Sequence, residues 1–337
     1  MNNTHDIGRL WPGWQIEGVL GTGPFGTVYL AHSLVCGRTV FAAVKVITMP
    51  PGREAVENAE KQGISRELLG TYFGKFKNDL AWELTMFRTI SAPGIIPVDE
   101  LAVQNNDPMG WTGYLRSGVY TPAQVYFEKT PPGADEARRL GLELCAALEA
   151  CEEYGMVHGE IKPENLFVTD EGTFMLADFG IRRSLERAGT GIFVNRGEEF
   201  DAPEIRSGER EYSAASDIYS LGMLMLWTLR GGALPKSGAR EKKYDDEPAL
   251  EAVISKATAE LPENRYGSAA ALREELLRIP GSGKRTVRRA MAVATAIEAV
   301  KRNGGVIRPL PREKAQEEKP KRGLFGFIKA MRKGKKD

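Results

Sequence analysis

Histidine is nearly absent: His5, His32 and His158 are the three in 337 residues, too few for a histidine-built metal centre. Cysteine is equally sparse. Cys36, Cys145 and Cys151 are an odd set without the short paired spacing of a zinc or redox motif. Reduced thiols in a cytoplasmic protein are the expectation. Long apolar runs are missing too. A membrane-spanning helix needs roughly 18–20 apolar residues in succession, and the best stretch, 290–300, is shorter and carries Glu298. The first ten residues lack the basic-then-apolar order of a secretory leader.

What is present is an ordinary globular composition with an uneven charge. Hydrophobic residues make up 42% and charged residues 27%, enough apolar material for one large two-lobed domain or two smaller ones. The net charge of +1 conceals an asymmetry. Residues 281–337 carry 17 Lys+Arg against 5 Asp+Glu, which leaves 29 against 40 for the remainder. An acidic body joined to a basic segment is a two-part organisation.

No internal repeat or long low-complexity tract interrupts the chain. Alternating residues predict strands over 14–20 and 27–31 around a glycine-rich turn, and further strands over 39–48, 95–104 and 111–119. Helices are predicted over 65–74 and 76–90, the second with Leu80, Leu84 and Phe87 on one face. After about residue 120 the pattern turns helical, over 135–154, 213–229, 248–258 and 268–277, with a short hairpin at 166–169 and 173–177. The coarse plan is a β-rich lobe followed by a larger helical one.

Three groups of residues carry chemistry. Gly21-Thr22-Gly23-Pro24-Phe25-Gly26-Thr27-Val28 is a glycine-rich turn that continues into a strand rather than a helix. That favours a hairpin over phosphates, where backbone N–H groups approach the oxygens closely, over a dinucleotide βαβ unit. Glycines that only make a turn are the plain alternative. Lys45 ends the apolar Ala42-Ala43-Val44-Lys45, and Glu83 on a following helix is its candidate partner; taken singly, Lys45 reads first as a solvent-facing strand lysine and Glu83 equally as an exposed helix residue. The third group is His158-Gly159-Glu160-Ile161-Lys162-Pro163-Glu164-Asn165, followed by Asp178-Phe179-Gly180.

With these residues in this order, the chain resembles the eukaryotic-type (Hanks-type) serine/threonine protein kinase family, bacterial members included. The resemblance extends to Ala202-Pro203-Glu204, to the segment from Ser216 to Gly222, and to Glu263-Asn264-Arg265, so it spans about 14–277. It implies an α+β, bilobal kinase-like fold: an extension at 1–13, a first lobe at 14–119, a helical lobe at 120–280 and a basic segment at 281–337. It implies ATP and Mg²⁺ as cofactors. Gly21, Gly23, Gly26 and Val28 would cover the nucleotide, Lys45 would hold its phosphates and pair with Glu83, and Gly118 and Val119, following Ser117, would offer backbone groups to adenine. Asn165 and Asp178 would hold metal, and Lys162 would neutralise the transferring phosphoryl group. Glu204 with Arg265, and Asp217, are implied structural braces.

The departures are as informative. The family's His-Arg-Asp stands here as His158-Gly159-Glu160. Glutamate keeps the carboxylate but moves it by about 1 Å, a displacement that costs on the order of a hundredfold in rate. Gly159 removes the arginine that gathers a phosphorylated loop, and Gly197 stands where the family carries threonine, beside Glu198, Glu199 and Asp201. Nucleotide-side groups are thus retained while acceptor-side groups are altered. The expectation is a slow serine/threonine kinase acting on a protein substrate; the alternative is a pseudokinase that regulates a partner. A small-molecule phosphotransferase is disfavoured by Ala202-Pro203-Glu204 and Arg265.

In the basic segment, Leu324, Phe327, Ile328 and Met331 share one helical face among Lys321, Arg322, Lys329, Arg332, Lys333, Lys335 and Lys336. An interfacial helix at 321–336 on an anionic membrane is one reading; docking on the chain's own lobe, or a solvated segment, is the other. Nucleic acid is disfavoured because no recognised binding module accompanies the charge.

Overall fold

Val, Ile and aromatic residues in the first third of the chain pair into a five-stranded antiparallel sheet: β1 (Gln15–Gly23), β2 (Gly26–Val35), β3 (Arg38–Met49), β4 (Glu100–Asn106) and β5 (Gly110–Ser117), in the order β1-β2-β3-β5-β4. The computed structural model describes residues 6–23, 26–50, 52–89, 92–106, 110–130, 132–178, 181, 199–234, 247–281 and 292–303, with the side chains at 76, 83, 84, 86–89, 106 and 292–294 outside that description. Strand alternation gives the sheet two different faces. On one, Ala31, Val44, Val46 and Tyr114 are covered by Ile7 and Trp11, so residues read from sequence as an extension close the outside of the lobe. The Arg116 guanidinium stacks 5.0 Å from the Trp11 ring and 4.6 Å from that of Trp14.

On the opposite face, Ile47 and Met49 pack against the helix α2 (Leu69–Thr89), with Phe73, Leu80 and Trp111. Trp111 donates its indole N–H to the Phe73 carbonyl at 3.0 Å, fixing α2 against β5. The sequence predicted two helices here. One continuous helix forms, because burial of Leu69, Phe73 and Leu80 outweighs the roughly 1 kcal/mol that a mid-helix glycine, Gly74, costs. A further helix, α1 (Arg53–Lys61), precedes it and packs Ala55, Val56 and Ala59 on the same cluster; the helices predicted from sequence do not include it.

The chain then passes through residues 118–120 into β6 (Thr121–Pro122), α3 (Ala123–Lys129) and the long α4 (Ala134–Glu153). α4 carries Asp135 and Glu136 in its first turn, favourable at the positive end of a helix dipole. The hairpin β7 (Leu166–Val168) and β8 (Phe174–Leu176) forms as predicted and joins β6 in a second small sheet. Below it lie α5 (Pro203–Arg206), α6 (Ala214–Leu229), α7 (Pro248–Ala257) and α8 (Ala269–Arg278). Ser213 and Ser216 exchange side-chain and backbone hydrogen bonds to start α6, and Ser268 accepts from the Ala271 N–H to start α8. Leu140, Leu144, Leu166, Phe174, Leu221, Leu224, Leu272 and Leu276, all fully buried, form one core under the hairpin.

The expected pairing of Glu204 with Arg265 is present. Arg265 Nη1 and Nη2 reach Glu204 Oε1 and Oε2 at 2.7 and 2.8 Å, and the same guanidinium donates to the Ala215, Ala259 and Glu260 carbonyls. Burial works to raise the Glu204 carboxyl, but the hydrogen bonds and charge of Arg265, a backbone hydrogen bond and the Arg210 charge together outweigh it and hold the group below its ordinary range. The plan is the α+β, two-lobed one expected from sequence.

One element departs from that plan. The sequence reading gave 281–337 to a basic segment, yet a helix, α9 (Ala292–Arg302), forms within it and lies back against β1, β2 and β6. Among the described residues no helix is long and apolar enough to cross a membrane.

Candidate functional site

The sheet register aligns the first site residues laterally. Gly21 pairs with Val28, Val28 with Lys45 and Lys45 with Leu115 across β1, β2, β3 and β5, so these residues share the face turned towards the second lobe. Gly26 closes the glycine turn at φ +131°, and a Cβ there would lie 2.0 Å from the Val46 carbonyl oxygen. Only glycine fits. At Gly21 and Gly23 an added Cβ would meet nothing within 4 Å, so the backbone of this turn borders open space. Pro24 and Phe25 lie outside the described residues.

The hairpin in the second lobe supplies the facing groups. Asn165 immediately precedes β7 and Asp178 follows β8 by one residue; pairing of Leu166 with Leu176 brings the two ends together, and the Ala177 N–H donates to the Asn165 carbonyl at 2.9 Å. Asp178 is held at φ +63°, a left-handed conformation that costs a non-glycine residue about 1–2 kcal/mol. Strain of this kind persists where surrounding structure imposes it. Across the gap between the lobes, Lys45 Nζ meets Asp178 Oδ2 at 2.5 Å, with the side chains 13% and 23% exposed. The expected partner of Lys45, Glu83, falls within α2, and its side chain lies outside the described residues.

The segment between α4 and the hairpin is held from beneath. Asp217, in the first turn of α6, accepts the N–H groups of His158 (2.6 Å) and Gly159 (2.9 Å) on its two carboxylate oxygens. To aim successive N–H groups at one carboxylate, the backbone turns left-handed at residue 159, where φ is +77°. Glycine adopts this freely. The substitution seen from sequence as a lost arginine therefore has a local conformational basis that the sequence did not reveal.

Glu160 is 4% exposed. Its Oε1 accepts from Lys162 Nζ at 2.7 Å, its backbone carbonyl accepts from Asn165 Nδ2 at 3.0 Å, and its backbone N–H donates to His158 Nδ1 at 3.1 Å. Oε2 of Glu160 is buried and has no hydrogen-bond partner among the described residues. A buried carboxylate oxygen left open carries a solvation cost that an incoming donor would relieve. Burial pushes the Glu160 carboxyl up, the Lys162 ammonium works against that, and the Asp178 charge adds to it.

Glu160, Lys162, Asn165 and Asp178 are thus brought into one locality, with Lys45 from the other lobe against Asp178. Gly118 and Val119 lie in the connection between β5 and β6 that joins the lobes. A cavity of about 730 Å³ lies behind that connection, lined by Ile95, Pro97, Val119, Tyr120, Asp170 and Met175 among others. Neither Lys45 nor Asp178 lines it, so it is separate from the facing charges. Phe179, Gly180, Gly197 and Glu198 lie outside the described residues, as does the expected membrane helix at 321–336.

The donor set fits Mg²⁺ and a nucleotide triphosphate. Asn165 and Asp178 offer an amide oxygen and carboxylate oxygens, hard donors of the kind Mg²⁺ takes when phosphate oxygens complete its shell. Lys45 already lies against Asp178, so an anion entering between them meets a cation at once.

Three comparisons bear on this arrangement. The family described as Protein kinase domain matches residues 14–292, ending at the first residue of α9. A serine/threonine-protein kinase PknB of Mycolicibacterium smegmatis is 25% identical over 288 residues, covering 79% of this chain and 43% of that protein. A carbon catabolite-derepressing protein kinase of Candida tropicalis is 27% identical over 266 residues, covering 78% of this chain and 37% of that protein. The chain therefore spans less than half the length of these relatives. Among solved structures, the PknI kinase domain of Mycobacterium tuberculosis superposes with a TM-score of 0.53 at 19% identity, over 79% of this chain and 95% of that one, a likeness of fold.

Burial holds the His158 imidazole far below its ordinary range, at about 3, against a smaller opposing pull from Asp178. Between the unfolded value near 6.5 and 3, the folded state binds fewer protons than the unfolded chain, so stability falls as pH falls through that window. His158→Gln, which keeps an acceptor for the Glu160 N–H, is expected to flatten that slope. Urea midpoints measured from pH 7 to 4 check it; an unchanged slope contradicts it.

Proposed function

This chain belongs to the protein kinase family, and on that premise we propose that it is an ATP- and Mg²⁺-dependent serine/threonine protein kinase whose transfer step is slow. The observation that carries the proposal is the approach of Lys45 to Asp178 across the gap between the lobes, 2.5 Å apart although 133 residues separate them in sequence. Two partly buried opposite charges from separate lobes cost desolvation; an anionic ligand with a divalent cation gives each of them a role.

Gly21, Gly23, Gly26 and Val28 cover the triphosphate, and Lys45 binds its oxygens, with Glu83 orienting the ammonium. Gly118 and Val119 offer backbone groups to the base. Asn165 and Asp178 hold Mg²⁺, which supplies charge neutralisation at the phosphate oxygens when bound. Lys162 neutralises charge on the transferring group. Glu160 orients the acceptor hydroxyl through Oε2, the oxygen that Lys162 does not occupy. Its proton passes to that carboxylate as the hydroxyl oxygen bonds to phosphorus and the bond to the nucleotide's bridging oxygen breaks. In a loose phosphoryl transition state positioning outweighs base strength, so the added methylene slows transfer without abolishing it.

One observation favours a second reading. Glu160 and Lys162 are committed to each other in a buried ion pair, which suits a pseudokinase that binds nucleotide and regulates a partner. For location, the basic, amphipathic 321–336 segment supports a cytoplasmic protein held peripherally at an anionic membrane. Deleting 320–337 is expected to abolish flotation with phosphatidylserine-containing liposomes; unchanged flotation contradicts it.

Phosphate transfer to the chain itself and to a basic protein separates the two catalytic readings. The wild type is expected to exceed Asp178→Ala by at least about a hundredfold. Equal background from both, with Mg-ATP still bound by the wild type, contradicts the kinase reading and leaves the scaffold.

A further inference from the structure

Strand alternation places Phe41, Ala43, Lys45, Ile47 and Met49 of β3 on one face of the sheet. That face has three neighbours along its length. Ile47 and Met49 lie against α2, and Lys45 reaches Asp178 at the middle. At the far end Phe41 joins Leu30, Leu20 and Val119 in an apolar cluster with Ala296, Ile297 and Val300 of α9. Leu30 and Val300 are both 0% exposed. Leu30 is two residues from Val28, so it too faces the cleft side. α9 therefore walls the end of the cleft beside the interlobe connection, opposite α2.

Two further features fix its position. Asn303 Nδ2 donates to the carbonyl oxygens of Val19 at 3.1 Å and Leu20 at 3.3 Å. These lie at the register shift between Val19 and Gly21, immediately before the glycine turn. At Gly18, which pairs with Leu30, an added Cβ would fall 2.4 Å from Val300 Cγ1. The missing side chain is what admits the helix to this depth.

We propose that α9 is a clamp on the nucleotide cleft: it holds Leu20 and the β1 backbone against Val119 and so makes nucleotide affinity depend on residues 292–303. The inference rests on the nucleotide-site reading above. Val300 and Asn303 are positioning residues and touch no phosphate. Without α9, the Leu20, Leu30, Phe41 and Val119 side chains would lose their cover, and β1 would be freer. A nucleotide binding under the glycine turn would then have to order that strand itself, and its apparent affinity would fall with the fraction of molecules already ordered.

The geometry supplies a paired test. Gly18→Ala drives a methyl into Val300 Cγ1, whereas Val300→Ala leaves only its own Cβ, 3.5 Å from that methyl, an ordinary contact. In the full chain, calorimetric titration with Mg-ATP is expected to show roughly tenfold weaker binding for Gly18→Ala, with partial recovery in the Gly18→Ala/Val300→Ala double variant, the non-additivity of a direct contact. Amide hydrogen exchange at residues 16–22 and 292–303 should accelerate in the single variant and slow again in the double. Asn303→Ala, which removes two hydrogen bonds and little packing, should weaken binding about threefold, in line with one modest net interaction. Gly18→Ala and Asn303→Ala binding as tightly as the wild type, or more tightly, overturns the clamp while leaving the nucleotide reading intact. No heat from the wild type overturns the nucleotide reading and the clamp's role in affinity together, and exchange that does not respond to Gly18→Ala overturns the docking itself.

Discussion

The contact between Lys45 and Asp178 joins two elements that are supported from different cores. Lys45 belongs to a sheet whose register fixes it beside Val28 and Leu115; Asp178 belongs to a hairpin seated on the helical core. Each charge is partly buried, and burial is costly unless an opposite charge lies near. The left-handed backbone at Asp178 adds local strain. Structure that sustains desolvated charge and strain at one point is pre-organised around it, and the proposed reading takes a phosphate with its metal as the object of that pre-organisation.

The altered residues are compatible with this frame. Asp217 collects the backbone N–H groups of residues 158 and 159, and glycine at 159 lets the chain turn without strain. What changes is the side-chain chemistry above that turn: no arginine to gather a loop phosphate, and a longer carboxylate tied to Lys162. The framework of the loop is kept while the carboxylate above it is lengthened, so on the proposed reading nucleotide binding and transfer rate are separable.

The order of the motifs and the two-lobed plan were legible because they rest on local pattern: glycine spacing, an apolar strand carrying Lys45, a hairpin flanked by Asn165 and Asp178. What stayed hidden was tertiary. Gly74 reads as a break, yet the packing of Phe73 and Leu80 carries α2 through it. Gly159 reads as a loss until its φ is known. The stretch containing α9 reads from sequence as part of a basic linker, too short to span a bilayer. Its Ala296 and Val300 do fall four apart on one helical face, but small residues make a faint stripe, and nothing in the sequence pairs them with Gly18. The resemblance places Lys45 and Asp178 at one nucleotide, but not their direct ion pair, which joins residues 133 apart in sequence.

The central claim is that a triphosphate with magnesium enters between the two facing charges. Calorimetric titration of Mg-ATP into the wild type and Lys45→Met measures it directly. A saturable heat from the wild type that weakens at least tenfold in the variant is the predicted result; no heat from the wild type, or superimposable isotherms from the two, would contradict it.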